Sequence, residues 1–245
     1  MEEKNVKPAV VVWNVDTQRD FMETSGKLYV PGSEAIIHNI NMLLHDAFQK
    51  GSEGFKVKVF GSADEHTFKT PGFPDSVEFK DWPVHCVAGT PGQKHMPGTA
   101  HMTNVGVISW MKDYTPGEFS ALSAKRQVIL TKDSTDILNP AFEKQVWNFH
   151  RLMKTVPPGS TFIVTGIVTE ICVKHEVDAL ADWVANNGGR VILVTDAVKE
   201  FDQDKMRVAM AEMRARKVMF ANTNEALSVI KWVSKNEQAA TVKNR

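Results

Sequence analysis

The chain of 245 residues has only two cysteines, Cys86 and Cys172. That is too few for a disulfide framework, so a reducing, cytoplasmic setting is expected. There a cysteine is catalytic, metal-bound or simply buried. An excess of charge is missing too: 29 Lys plus Arg stand against 29 Asp plus Glu. Nothing in that balance asks for nucleic acid as a partner. No apolar run approaches the roughly 20 residues that span a bilayer, so no membrane partner is expected. The opening MEEKNVKPAVVVW has early acidic residues and no separate apolar stretch with a cleavage site. No signal peptide is read there. Repeats and linkers are also lacking, and the whole of 1–245 is read as one domain.

What is present is an alternation of strand and helix patterns. PAVVVWNVD (8–16) is an apolar run of the kind buried in parallel sheets. A helix is expected over 31–51, with Ser33 as N-cap and Gly51 as stop. Strands are expected at 55–66, 105–110, 126–136, 160–168, 190–198 and 217–223. Further helices are expected at 139–156, 170–189 and around 203–216. The stretch 67–100 is rich in Pro, Gly, Thr and His and reads as irregular, and the polar tail SKNEQAATVKNR reads as frayed. This pattern predicts an α/β fold: three α/β/α layers around a mostly parallel central sheet, Rossmann-like in style. In such sheets ligands bind beyond the carboxyl ends of the strands. The capable residues just past apolar runs are Asp16, Asp64 with His66, Lys132 and Cys172.

Cys172 opens the helix of TGIVTEICVKHEV. Free N–H groups at a helix start favour a thiolate and can receive an oxyanion. Thr169 stands where it can cap that helix. The plainer reading is a buried cysteine acting as a small hydrophobe. Asp16 can accept a thiol proton and Lys132 can stabilise the charges formed; alternatively the two form a structural ion pair. SADEHTF and DWPVHCVAG supply Asp64, His66 and His85, a common ligand set for zinc, iron or manganese. The plainer reading has His66 capping a loop and His85 bonded to backbone. His38, His45, His150 and His175 fall on expected helices, whereas His95 and His101 are spare ligand candidates.

The motifs DTQRDF, SADEH, WPVHCVAGTPG, TKDSTD and GIVTEICV occur in the order of the isochorismatase-like cysteine hydrolases. The chain resembles that superfamily over 8–222, and its D-x-H and W-P-x-H-C motifs are most similar to the nicotinamidase/pyrazinamidase branch. The resemblance implies a catalytic triad of Asp16, Lys132 and Cys172, and metal ligands Asp64, His66 and His85. It implies that Phe21 and Trp82 sandwich a substrate ring. It also implies a cis peptide before Val168, with an oxyanion hole from the backbone N–H groups of Val168 and Cys172. The implied activity is conversion of nicotinamide to nicotinate and ammonia through a thioester, a step of NAD salvage. The implied cofactor is a divalent metal, zinc first, then iron or manganese. A homo-oligomer is a further family-based expectation.

Two departures stand out. Between the metal motifs there is no further His, so Glu78, or second Asp75, is the candidate fourth ligand. The segment around 93–125 is longer than the family pattern, and its Trp110, Tyr114 and Phe119 read as exposed. A lid, a dimer contact and a regulatory surface are the readings for it. The alternatives to a nicotinamidase are a related cysteine hydrolase for another small amide or ureido compound, and a non-catalytic binding protein.

Overall fold

In the computed structural model of the protein, residues 9–52, 56–100 and 103–232 are described. Seven strands form one all-parallel sheet: β1 (Val10–Val15), β2 (Val57–Asp64), β3 (Val105–Ile108), β4 (Gln127–Lys132), β5 (Thr161–Ile167), β6 (Arg190–Lys199) and β7 (Met219–Ala221). Their spatial order is β3-β4-β2-β1-β5-β6-β7. The helices are α1 (Arg19–Met22), α2 (Ile37–Ser52), α3 (Pro116–Ser123), α4 (Glu143–Met153), α5 (Cys172–Asn187), α6 (Gln203–Ala215) and α7 (223–232).

Alternation along β1 builds the three layers. Side chains of a strand point to opposite faces in turn. Val11, Trp13 and Val15 enter a core with Phe149 of α4, Val173, Val177 and Leu180 of α5, and Met213 of α6. Val10 and Val12 enter a second core with Ile40, Leu43 and Leu44 of α2 and Ile230 of α7. Both faces of β1 are therefore buried, which explains its mostly apolar sequence, VVVWNV.

The chain winds from β1 to β2, out to the edge strand β3 and back to β4 between them, then crosses to the other side of β1 for β5. The winding direction reverses between β1 and β5, where such sheets open a crevice at their carboxyl ends. Gly166 lies in β5 at that seam with φ +120°, and a Cβ on it would sit 2.1 Å from the Val15 carbonyl oxygen. Only glycine lets the two strands close.

Several sequence expectations change. Ser33 does not cap a helix. It begins a 3₁₀ turn, Ser33–Ile36, is buried, and donates its hydroxyl to Phe21 O at 3.3 Å. Helix α7 was not expected. Its residues Ala226 and Ile230 are buried, but the pattern is too short for a clear period. The 93–125 segment supplies the edge strand β3 and helix α3, whose capping box joins Thr115 and Glu118. Phe119 is buried and not exposed, packed on Tyr114 in a T-shaped contact. Trp110 is half-buried and donates Nε1–H to Glu65 O at 2.8 Å, while Tyr114 accepts at its hydroxyl from Ser109 N–H. His101 and the polar tail lie outside the described residues.

Candidate active site

Strand register brings the polar residues together. Asp64 and Lys132 are paired across β2 and β4, and Val15 pairs with both Ser62 of β2 and Gly166 of β5. Asp16 follows β1 directly with φ +48°, a conformation few non-glycine residues adopt. The turn aims its carboxylate at the neighbouring strand end. Lys132 Nζ contacts Asp16 Oδ2 at 2.7 Å, Asp64 Oδ1 at 2.5 Å and Cys172 Sγ at 3.7 Å. All four residues are buried. One oxygen each of Asp16 and Asp64 and the Cys172 sulfur lie within 4.8 Å of one another.

Burial dominates the proton affinities here. It raises Asp16 above the ordinary carboxylate range, with Lys132 pulling the other way. Lys132 is opposed by burial, yet Asp16, Asp64 and Cys172 hold it well above the ordinary amine value, so it is an ammonium. Burial also pushes the Cys172 thiol well up, more than Lys132 lowers it. The thiolate expected at a helix start is thus not the resting form, because desolvation of the charge outweighs the lysine and the helix end. Thr169 does not cap α5: the N-cap is Ile171, without a side-chain cap, and Thr169 Oγ1 is buried without a partner. The Ile167–Val168 peptide is cis, and Ile171 N–H and Val173 N–H both turn back to Val168 O, at 3.1 and 3.0 Å.

Beside this set lie Asp64, His66, Glu78 and His85, each offering a ligand atom within 4.8 Å of the others. His66 follows β2 and its backbone bonds to Cys86 O and Ala88 N, which draws His85 alongside. Glu78 sits on a 3₁₀ turn, Val77–Lys80, capped by Ser76. His66 Nε2 is buried without a hydrogen-bond partner, 3.5 Å from Asp64 Oδ2 and 3.6 Å from Glu78 Oε2. Its other nitrogen, Nδ1, meets Asp133 Oδ1 at 2.6 Å, and His85 Nδ1 meets Pro83 O at 2.7 Å. Carboxylate or carbonyl partners on the outer nitrogen are the support that metal-binding imidazoles have. Burial opposes charge on His66, but Asp64, Asp133 and Glu78 raise its pKa to about 10. Glu78 is pushed up to about 7 by burial and by Asp64. The cluster therefore has too much negative charge for its burial, and a divalent cation among these donors fits it.

Of the other candidates, Asp75 is exposed and accepts from Lys69 N–H at 2.5 Å, outside the cluster. His95 is not a spare ligand: its Nδ1 lies 3.1 Å from Thr17 Oγ1 and it is absent from the cluster. His38 and His45 lie on α2 and His175 on α5, and His150 is exposed on α4.

A narrow cavity opens between the two sets. Phe21, Trp82, His85, Asp64, Glu78, Val168 and Cys172 are among its lining residues. Phe21 stands 5.3 Å from the His85 ring. Trp82 stacks on Phe201 with 14° between planes. Phe201 was not foreseen. It is held by Glu170, whose Oε1 accepts from the N–H groups of Phe201 and Asp202.

Other supporting residues were also not singled out. Ser62 donates to Asp16 Oδ1 at 2.7 Å. Gln18 brackets the Asp64 backbone, donating to its carbonyl and accepting from its N–H. Asp20 accepts from Cys86 N–H at 2.7 Å and so fixes the loop that carries His85. Asp133 lies inside the TKDSTD motif, which was a usable signal.

Comparison with known proteins agrees with the fold. The family described as Isochorismatase domain matches residues 8–225. The nicotinamidase/pyrazinamidase of Mycobacterium tuberculosis is 26% identical over 204 residues, covering 83% of this chain and 94% of that protein. A crystal structure of pyrazinamidase/nicotinamidase from Streptococcus mutans superposes with a TM-score of 0.62 at 20% identity, over 87% of this chain and 100% of that one. A pyrazinamidase of Pyrococcus horikoshii in complex with zinc superposes with a TM-score of 0.56 at 23% identity, over 88% and 99%.

Proposed function

The chain belongs to the Isochorismatase domain family, and from that premise we propose that it is a metal-containing cysteine amidohydrolase converting nicotinamide to nicotinate and ammonia. One observation carries the reading: the thiol and the nitrogen-seeking ligand cluster open into the same cavity, with Phe21 and Trp82 among its walls. A flat ring bearing a ring nitrogen and a carboxamide has the groups to engage both ends. The relative from Mycobacterium tuberculosis bears the matching activity in its name.

In this reading Asp16 is the base, Lys132 the stabilising cation and Cys172 the nucleophile. The thiol proton passes to Asp16 as Cys172 sulfur bonds to the amide carbon. The carbonyl electron pair moves onto oxygen, received by the N–H groups of Val168 and Cys172. As the carbonyl reforms, the C–N bond breaks and Asp16 returns the proton to the departing nitrogen, which leaves as ammonia. A water then adds to the thioester, giving its proton to Asp16. The acid is released and the proton returns to sulfur. Asp64, His66, Glu78 and His85 would hold a divalent cation, zinc first, which supplies a Lewis-acidic anchor for a ring nitrogen lone pair. Phe21 and Trp82 hold the ring faces and keep water from them.

The test is ammonia release from nicotinamide by purified, metal-loaded protein, with Cys172→Ala as the blank. Release confined to the unmodified protein supports the reading. No release from a protein whose metal is bound and whose Cys172 reacts with iodoacetamide would overturn nicotinamide and leave another small amide or ureido substrate. NAD-precursor salvage is the role that follows from the reaction.

A further inference from the structure

Phe201 borders the same narrow cavity but comes from a separate element, the turn between β6 and α6. Of the cavity walls, Phe21, Asp64, His85, Val168 and Cys172 are buried. Trp82 and Phe201 are half-buried, so these two aromatic rings stand at the rim. They stack with centroids 6.1 Å apart and 14° between planes. Contacting ring atoms sit about 3.5–4 Å apart, so a third ring between two others needs about 7 Å or more. A substrate ring therefore lies beside this pair and not inside it, and Phe201 extends the wall that Trp82 begins.

The place of that wall is tied to the thiol. Glu170 stands two residues before Cys172, and its Oε1 accepts from Phe201 N–H at 3.0 Å and from Asp202 N–H at 2.8 Å. Hydrogen bonds to a carboxylate are the stronger kind. The adjacent Thr169 N–H donates to Lys199 O at 2.9 Å. Asp202 in turn caps α6, accepting from the N–H groups of Asp204 and Lys205. The turn that leads into Cys172 thus grips the turn that carries Phe201, and the space between sulfur and wall is fixed from both sides. We propose, on the reading that Cys172 attacks an amide in this cavity, that Phe201 is a specificity-determining residue, set by Glu170 as a positioning residue, which limits the substrate to a compact flat amide without bulky substituents.

The experiment compares alkylation of Cys172 by iodoacetamide and by N-benzyliodoacetamide, which puts the same electrophile on a longer, ring-bearing amide. Peptide mass mapping separates Cys172 from Cys86. Zinc-loaded wild type, Phe201→Ala, Phe201→Leu, Glu170→Ala and Glu170→Gln are compared, with thermal melting to confirm folding. No turnover is needed, so the result is readable whether or not nicotinamide is hydrolysed. The quantity read is the rate with the benzyl reagent over the rate with iodoacetamide, which cancels changes in the thiol itself.

Phe201→Ala is expected to raise this ratio about tenfold or more, the discrimination that a few missing methylene-sized contacts give. Glu170→Ala is expected to raise it about threefold or more, through loss of the hydrogen bonds that hold the turn. Glu170→Gln keeps an acceptor oxygen and is expected to stay within about twofold of wild type. A ratio that does not move in folded Phe201→Ala overturns the specificity role. If that variant does not fold, Phe201→Leu, expected to fall between it and wild type, decides by the same ratio. An unmoved ratio in Glu170→Ala, or one that rises equally in Glu170→Gln, overturns the positioning role.

Discussion

Cys172 rests as a thiol because burial outweighs the Lys132 ammonium 3.7 Å away. In the proposed reaction its activation depends on Asp16, whose own proton affinity burial has raised. Activity needs Asp16 ionised. As the pH falls through that raised value, kcat/KM should decline, and the decline should lie above the pH at which an ordinary aspartate, near 3.8, titrates. A pH profile of kcat/KM checks the sign. Cys172→Ala should lose at least about 10³-fold in turnover while keeping its melting temperature, since removing a nucleophile leaves little else to act. Asp133→Asn should weaken metal affinity about 10- to 100-fold by loosening the His66 ring, read by metal content after dialysis. Asp16, Asp64, His66, Lys132 and Cys172 were legible because each follows an apolar run, whereas Glu78 and His85 stand in the irregular 67–100 loop. Ser62 and Gln18 were not, because their partners come from other elements and nothing local in the sequence marks those contacts.

Elements explain which expectations held in detail. The strands were readable since burial on both sheet faces enforces long apolar runs. The loop from 67 to 100 was legible only as irregular, although it carries Glu78, Trp82 and His85. Its order comes from side chains, such as Asp20 on Cys86 N–H, that no periodicity reports. His95 belongs to this loop. The residue is half-buried, but its Nε2 is buried and unpaired, and burial lowers its pKa to about 4. The unfolded chain takes up this proton near pH 6.5 and the folded one refuses it. Stability is therefore full above about 6.5 and is lost as the pH falls toward 4. His95→Gln should flatten the fall in melting temperature over that window, as read by calorimetry. At the β1–β5 seam, Gly166→Ala should cost more than about 1 kcal/mol, because the added methyl meets the Val15 carbonyl at positive φ. Chemical denaturation measures it.

For the molecule as a whole, a cation held in the proposed ligand cluster would tie folding to its binding. A metal that binds only the folded chain stabilises it in proportion to the logarithm of its concentration over its dissociation constant. Chelation should lower the melting temperature, and zinc should restore it. Among the described residues no helix is long and apolar enough to cross a membrane.

The sheet order has another consequence. Residues before Val156 contribute β3, β4, β2 and β1, and those after Gly159 contribute β5, β6 and β7, so the chain divides where the sheet does. Asp16, Lys132 and the proposed ligands Asp64, His66, Glu78 and His85 all lie in the first part and Cys172 in the second. Cut at the exposed Pro158, the chain would yield a pair of inert fragments. Their mixing should regain turnover by complementation, making this enzyme fold a ready split reporter of two partners brought together.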